Sequence, residues 1–464
     1  MVFNKNLPQI VCNDLDWVKC HLSECAVVPS ILSSARDIKC HFYNIIHKTD
    51  RDYYVDSIST MITGDEVFTL KNSDNVKVRC TGRALANDRL LKWIGVVSGL
   101  RSKVKSLGSP PGRENTINVL MFGYDSTSRN GFIRKMPESY EYLKNDLEAT
   151  FLTGYNIIGD GTTWALHALL TGRNELDLPE ARKRFVKTFL NNSDFIFHKL
   201  RKDGYRTAYY EDSPNMGTFQ LRFQGFAEQP ADHYLRDFYF ELSKLSTDKQ
   251  NEFCVGDTPS YTFLMNITQQ FFTQDGKKFC FTKVGDMCHY DFNLLASADK
   301  DFVKFLRWFK ETGRLQNTLL MIFGDHGVRR TDVRATYQGK MEERLPLMAI
   351  VLPEQLIKSR PEIKSALKAN ADILTTPYDI YNTVLDAVDM TDHWITYKVK
   401  GADLPRGLTL FRPIPSTRSC SEAAIENRWC TCHTWQTIHS SNKRYHLAAA
   451  ALVDHINDVT KSIR

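Results

Sequence analysis

Six side chains of this sequence are of the kinds that hold cations or attack phosphorus, and each follows a strand-like run or opens a helix-like one. Asp325 and His326 come directly after the apolar run Leu319–Phe323 and Gly324, and Asp125 ends a similar run from Ile117. Asp286 and His289 lie just beyond a third run, Phe279–Val284. Thr162 follows a Gly-rich approach, 154–161, and opens an apolar stretch that stops at Gly172. Carboxylates gathered without partners repel one another, so a pocket of this composition calls for a cation. Mixed carboxylate and imidazole donors suit zinc better than magnesium or manganese. Two such clusters would hold two ions about 4 Å apart, a spacing that clamps the attacking and leaving oxygens of a phosphoryl transfer. A hydroxyl becomes a competent nucleophile only when a base or a metal lowers its pKa. A helix N-terminus behind it would offer free N–H groups to a bound anion. Taken alone, Thr162 or Thr163 is an N-cap; Asp160 is the alternative cap, and it would release Thr162 for chemistry beside the Asp clusters.

Short apolar runs bounded by glycine predict strands buried on both faces, and open α/β sheets gather their ligand sites at the carboxyl ends of such strands. Helical patterns fall between the runs: Met136–Leu147, a helix from Phe195 stopped by Gly204, Asp299–Thr312 with Phe302, Phe305, Leu306 and Phe309 on one face, and Tyr378–Val388. Tyr205–Tyr210 and Leu347–Leu352 supply two more strands. This alternation predicts an α/β sandwich with a mostly parallel central sheet over residues 109–410. Residues 1–108 form a β-leaning unit with strand-like runs at His41–Ile46, Val67–Leu70 and Val76–Cys80, and a turn-rich linker follows at 108–112. Residues 411–464 are rich in Cys, Trp and His and end in a helix from Tyr445 to about Thr460.

At 464 residues the chain can hold one large catalytic domain and a smaller one. Its 60 basic and 54 acidic residues make a mixed surface, and no basic block marks a nucleic-acid partner. No run of 18 apolar residues predicts a membrane span. The opening residues lack the apolar core of a signal peptide, which fits either a cytoplasmic protein or one whose targeting segment lies outside this sequence. The eleven cysteines favour the second expectation: eight of them flank the core as disulfide staples would, so an extracellular or lumenal protein is expected, with a cytoplasmic one as the alternative. An odd number leaves at least one thiol without an internal partner. Two glycosylation patterns, at Asn191 and Asn266, point the same way.

Asp125 after its strand, Thr162 nine residues before Thr171-Gly172, and Asp325-His326-Gly327 together resemble the alkaline phosphatase superfamily. The branch containing nucleotide pyrophosphatases/phosphodiesterases, phosphoethanolamine transferases and sulfatases is the most similar. Within it, the stretches 122–129, 324–327, 374–381 and 418–420 resemble the sulfatase-like family labelled domain of unknown function 229, and the resemblance extends over nearly the whole chain, including its Cys-rich ends. It implies a three-layer sandwich and a site of two zinc ions. One would be held by Asp125, Thr162, Asp325 and His326; the second by His289, Asp286 and a late histidine, His433. It also implies an extracellular or lumenal enzyme, a zinc-dependent hydrolase or transferase of phosphate esters with Thr162 as metal-activated nucleophile. Its substrate would be a small-molecule or a glycan- or lipid-linked anion.

Four departures from the family pattern keep other expectations open. Ala165 stands where related phosphodiesterases have an amide donor to the substrate anion. Asp286 and His289 are three apart instead of four. Arg428 stands where a metal-binding histidine is expected before the Trp-Cys-x-Cys unit. No cysteine between Phe151 and Gly172 could become the formylglycine of sulfatases. A catalytically silent binding protein on the same scaffold, and a sulfatase-like ester hydrolase using the unmodified threonine, are the alternatives.

Overall fold

The computed structural model describes residues 9–104, 107–177, 188–245, 253–433 and 437–461. Met1–Cys430 form one compact unit and Thr431–Arg464 a second. In the second, the Lys443–Thr460 helix is capped by the Asn442 side chain, which accepts from Arg444 N.

The first hundred residues are more strand-rich than their sequence suggests. β1 (Val18–His21), β2 (Glu24–Val27) and β6 (Phe68–Thr69) form one antiparallel sheet. β3 (Ala35–Thr49), β4 (Asp52–Val55), β5 (Thr60–Thr63), β7 (Asn75–Ala84) and β8 (Leu90–Ser98) form another. Along β3 and β7 buried and exposed residues largely alternate, so Ile38, Cys40, Phe42, Val76, Val78 and Cys80 build an apolar cluster of their own. Disulfides join directly opposed residues, Cys20 to Cys25 across β1–β2 and Cys40 to Cys80 across β3–β7. Cys12–Cys254 and Cys420–Cys430 complete the set, while Cys280 and Cys288 are buried thiols and Cys432 an exposed one. Four disulfides are what a chain folded outside the reducing cytoplasm carries.

The central sheet takes its strands from the apolar runs. β9 (Asn118–Tyr124), β10 (Thr150–Phe151), β11 (Arg206–Glu211) and β12 (His233–Tyr234) come first. A small hairpin, β13 (Cys254–Val255) and β14 (Thr258–Pro259), precedes β15 (Lys278–Val284), β16 (Thr318–Phe323) and β17 (Met348–Val351). Their order is β10-β17-β16-β9-β15-β11-β12. The four pairings from β16 to β12 are parallel, and β17 and β10 add an antiparallel edge. Every residue of β9, β15 and β16 is buried, as continuous apolar runs require. Odd and even positions serve opposite faces. Val119, Met121, Phe281 and Met321 pack with the Thr162–Thr171 and Pro377–Ala387 helices. Leu120, Phe122, Cys280 and Ile322 pack with the Ser260–Phe272 and Asp299–Glu311 helices. The result is the expected three-layer α/β sandwich.

One local expectation is corrected. The helix expected over Met136–Leu147 is regular only from Pro137 to Glu141 and continues as a π-turn over Tyr142–Asp146. Of the two glycosylation patterns, that at Asn266 lies in the Ser260–Phe272 helix, with Asn266 exposed and the Thr268 hydroxyl buried against Thr282 Oγ1 at 2.8 Å. Asn191 is exposed and caps a short turn.

Candidate metal centre

Strand register brings the chemistry together. β9 and β16 run parallel with Gly123 opposite Phe323, so the residues after their ends, Asp125 and Asp325-His326, emerge on one edge. Ser126 ties the two strand ends. It has φ of 55°, a left-handed conformation unusual for a residue with a side chain. Its N–H donates to Asp325 Oδ1 at 3.0 Å and its hydroxyl donates to Asp125 Oδ1 at 2.8 Å. Gly324 permits the close approach, since a Cβ there would lie 2.0 Å from the Thr127 carbonyl oxygen. One ligand atom each from Asp125, Asp325 and His326 lies within 4.8 Å of the others, and all three residues are buried.

Thr162 completes the group. It is the first residue of the Thr162–Thr171 helix, whose N-cap is Gly161 and which has no side-chain cap. Neither Thr162 nor Asp160 caps this helix: the Thr162 hydroxyl instead lies 3.3 Å from His326 Nε2, and Asp160 Oδ1 accepts from Arg329 Nη2. Gly161 has φ of 84°, and a Cβ on it would meet Arg329 Nη1 at 2.1 Å. A guanidinium therefore lies against an uncapped helix N-terminus beside the threonine, where an oxyanion would be held by the free N–H groups and the positive dipole end.

The donor atoms fit a cation. His326 Nδ1 lies 2.8 Å from the Gly327 carbonyl, which can only accept, so Nδ1 carries a proton and a neutral ring presents its lone pair on Nε2. That nitrogen lies 3.5 Å from Asp325 Oδ2, a buried oxygen with no hydrogen-bond partner among the described residues. These two acceptor atoms 3.5 Å apart, with the Thr162 hydroxyl 3.3 Å from the nitrogen, leave a position for a positive charge.

Sequence reasoning missed one cation already there. Lys283, the sixth residue of β15, is buried, and its ammonium donates to Asp125 Oδ2 at 2.7 Å and to Glu211 Oε1 at 3.3 Å. Burial alone would lower its pKa, but the Asp125, Glu211 and Asp325 carboxylates hold it well above the ordinary lysine value. Burial likewise pushes Asp125 up, and the neighbouring Lys283 charge, with His326 and the hydrogen bonds from Lys283 and Ser126, brings it below the usual carboxylate range. Glu211 also accepts from Thr218 N and Oγ1 and from the Tyr209 hydroxyl. Three carboxylates against one ammonium leave two formal negative charges, the complement of one divalent ion. Alternation along β15 was the available signal: Phe279 and Phe281 face the Thr162–Thr171 helix side, and Lys283 continues that series beside strand-end carboxylates.

Asp286 and His289 open and nearly close a short helix, Asp286–Tyr290, on the same edge. His289 is half-buried; burial lowers its pKa, Asp125 opposes this, and Arg330, Lys283 and His326 add to the lowering, which puts its ring within electrostatic reach of the cluster. Asp286 Oδ1 accepts from Ser213 Oγ at 3.4 Å, while its backbone N–H donates to Asp212 Oδ1 at 3.0 Å. Burial, reinforced by Asp286, pushes the Asp212 carboxyl up to about 7. Among the described residues neither Asp286 nor His289 joins a group of three donors in the first unit beside that of Asp125, Asp325 and His326. His433 belongs to the C-terminal unit. Arg428 stacks over Trp429, 4.9 Å from the ring centroid.

The model of the family described as "Protein of unknown function (DUF229)" matches residues 4–464. No curated protein matches the sequence. The chain is similar to the C-terminal periplasmic domain of EcEptC from Escherichia coli in complex with zinc, at 14% identity over 61% of this chain and 86% of that one, with a TM-score of 0.41. It is similar to a protein of the alkaline phosphatase superfamily from Vibrio parahaemolyticus, at 13% identity over 67% and 76% and a TM-score of 0.41. A third similar structure is the lipoteichoic acid synthase LtaP from Listeria monocytogenes, at 14% identity over 67% and 79% and a TM-score of 0.40.

Proposed function

The chain belongs to the DUF229 family, and from the site its residues build we propose that it is a metal-dependent phosphoester hydrolase or transferase of the alkaline phosphatase kind, with Thr162 as nucleophile. The convergence of Thr162 Oγ1, His326 Nε2, Asp325 Oδ2 and Asp125 on one buried point carries this conclusion. Asp125, Asp325, His326 and the Thr162 oxygen would hold one zinc ion, a set of oxygen and imidazole donors that zinc accepts. The ion would lower the threonine pKa and offset charge on the transferring group.

Lys283 stands where the carboxylates would otherwise demand a second cation, so one zinc per chain is expected instead of two. The residues then divide the work. The Thr162 oxygen bonds to phosphorus as the ester P–O bond breaks and the alcohol leaves with a proton. The helix N-terminus and Arg329 face the non-bridging oxygens of the phosphoryl group. Water or an acceptor alcohol then takes the phosphoryl group from Thr162 and restores the hydroxyl. The disulfides favour an extracellular or secretory-lumen site of action on a small-molecule or a glycan- or lipid-linked anionic substrate.

The test is turnover of an aryl phosphate mono- or diester by zinc-loaded protein and by Thr162→Ala, with bound metal measured in both. The expected outcome is turnover lost in the variant with metal largely retained. Equal turnover would remove Thr162 from the chemistry, and protein that binds no metal would favour the silent-scaffold alternative.

A further inference from the structure

The edge of the sheet opposite the metal centre carries a second concentration of charge. β9, β15 and β16 run parallel, and the residues at their amino ends, Asn118, Lys278 and Asn317, line a cavity of about 690 Å³. The seven residues of β9 separate its two ends by about 20 Å, so this cavity is distinct from the catalytic edge.

Two of the cations on its wall, Lys278 and Arg314, have no carboxylate partner among the described residues, whereas Lys358 pairs with Glu354. Lys278 is 6% exposed, and its ammonium donates to the Gly276 carbonyl. Arg314, also on the wall, donates through Nε to the Phe272 carbonyl at 3.1 Å and lies over the Trp308 ring. Arg206, close enough to act on Lys278, donates to Gln274 Oε1 at 3.0 Å. Among the described residues none of these three forms an ion pair with a carboxylate. The acidic groups nearby do not neutralise them: Glu354 pairs with Lys358 at 3.1 Å, and exposed Asp275 acts on Lys278 only through the longer-range field.

A buried ammonium with one carbonyl acceptor, beside guanidiniums that repel it, is unfavourable unless an anion occupies the space it faces. Burial first, then Arg206, with Asp275 opposing and Arg314 adding, brings the Lys278 pKa down to about 8. The walls also offer side-chain amides from Gln274, Gln316 and Gln355, which suit the polar body of an organic ligand. The volume is in the usual range for small-ligand sites.

We propose that this cavity is a binding site for a small phosphate- or sulfate-bearing ligand, held by Lys278 and Arg314 and separate from the metal centre. It does not depend on the catalytic assignment above.

Inorganic phosphate and inorganic sulfate, titrated calorimetrically into the intact protein, are the probes. An oxyanion-binding event should persist in Asp325→Ala, which disables the metal centre. It should weaken about tenfold or more in Lys278→Met and in Arg314→Gln, the cost of losing one charge-assisted contact, while turnover at the metal centre stays unchanged. Arg314→Gln, at a partly exposed position, guards against misfolding of the buried Lys278 variant. Binding that vanishes in Asp325→Ala, binding that is equal in wild type and Arg314→Gln, or no binding of either anion in the millimolar range would each overturn the proposal.

Discussion

Replacing Lys283 with methionine probes the charge balance of the proposed metal centre most directly. The ammonium sits 2.7 Å from one carboxylate and 3.3 Å from another, with all three side chains less than 10% exposed. At an effective dielectric near 20 these contacts represent about 6 and about 5 kcal/mol of gross attraction. Desolvation offsets much of that, and removing one partner of a buried ion pair typically costs about 3–5 kcal/mol, because the remaining charges stay buried and uncompensated. Metal-free Lys283→Met should therefore lose about 3–5 kcal/mol in urea unfolding relative to metal-free wild type. Zinc should then stabilise the variant more than it stabilises wild type, since the ion faces one more uncompensated negative charge. Chelator-treated protein and protein in excess zinc give the four measurements needed. A loss below about 1 kcal/mol without metal, or equal zinc stabilisation of both proteins, would show that the ammonium does not neutralise this cluster.

Metal content of purified wild type should be one zinc per chain by elemental analysis; two would restore the second site to Asp286 and His289. Chelation should lower wild-type stability by about 3 kcal/mol at a free zinc concentration a hundred times Kd, and Asp325→Ala, lacking a ligand, should be insensitive to the chelator. Arg329→Ala frees Asp160 and removes the guanidinium from the helix N-terminus; a loss of about a hundredfold in kcat/KM is expected, the scale of one lost anion donor, and unchanged kinetics would place Arg329 outside the site. Asp212 supplies a pH signature. Its folded pKa of about 7 lies above the ordinary 3.8, so its contribution is fully present below pH 4 and is lost as pH rises through 7, by roughly 4 kcal/mol. Asp212→Asn should thus be more stable than wild type at pH 8, with a flatter profile between pH 4 and 7; parallel profiles would count against the buried, protonated carboxyl.

Much of the fold was legible because burial on both faces leaves a plain mark. Runs such as Val119–Phe122 and Leu319–Phe323 have no polar residue to place in water, so they are strands of a covered sheet. The N-terminal strands were harder to find, since half-exposed antiparallel strands such as Leu90–Ser98 mix charged and apolar residues and carry a weaker period. The helix that opens at Thr162 and stops at Gly172 was readable from its glycines, and φ of 71° at Gly172 gives the reason for the second.

The types of the site residues came from the sequence; their company did not. Asp125, Thr162 and Asp325-His326 follow from strand ends and a helix start, which local pattern records. Lys283 and Glu211 follow only from register: β11 sets Glu211 opposite Lys283, and β15 sets Lys283 opposite Gly123, two residues before Asp125. That alignment joins residues 72 and 158 positions apart, and it is decided by how three buried strands pack their side chains, not by any one of them alone. Whether a strand-end carboxylate meets a metal or a lysine is therefore a property of the assembled sheet, because electrostatic compensation depends on which charges burial brings within about 3 Å of each other.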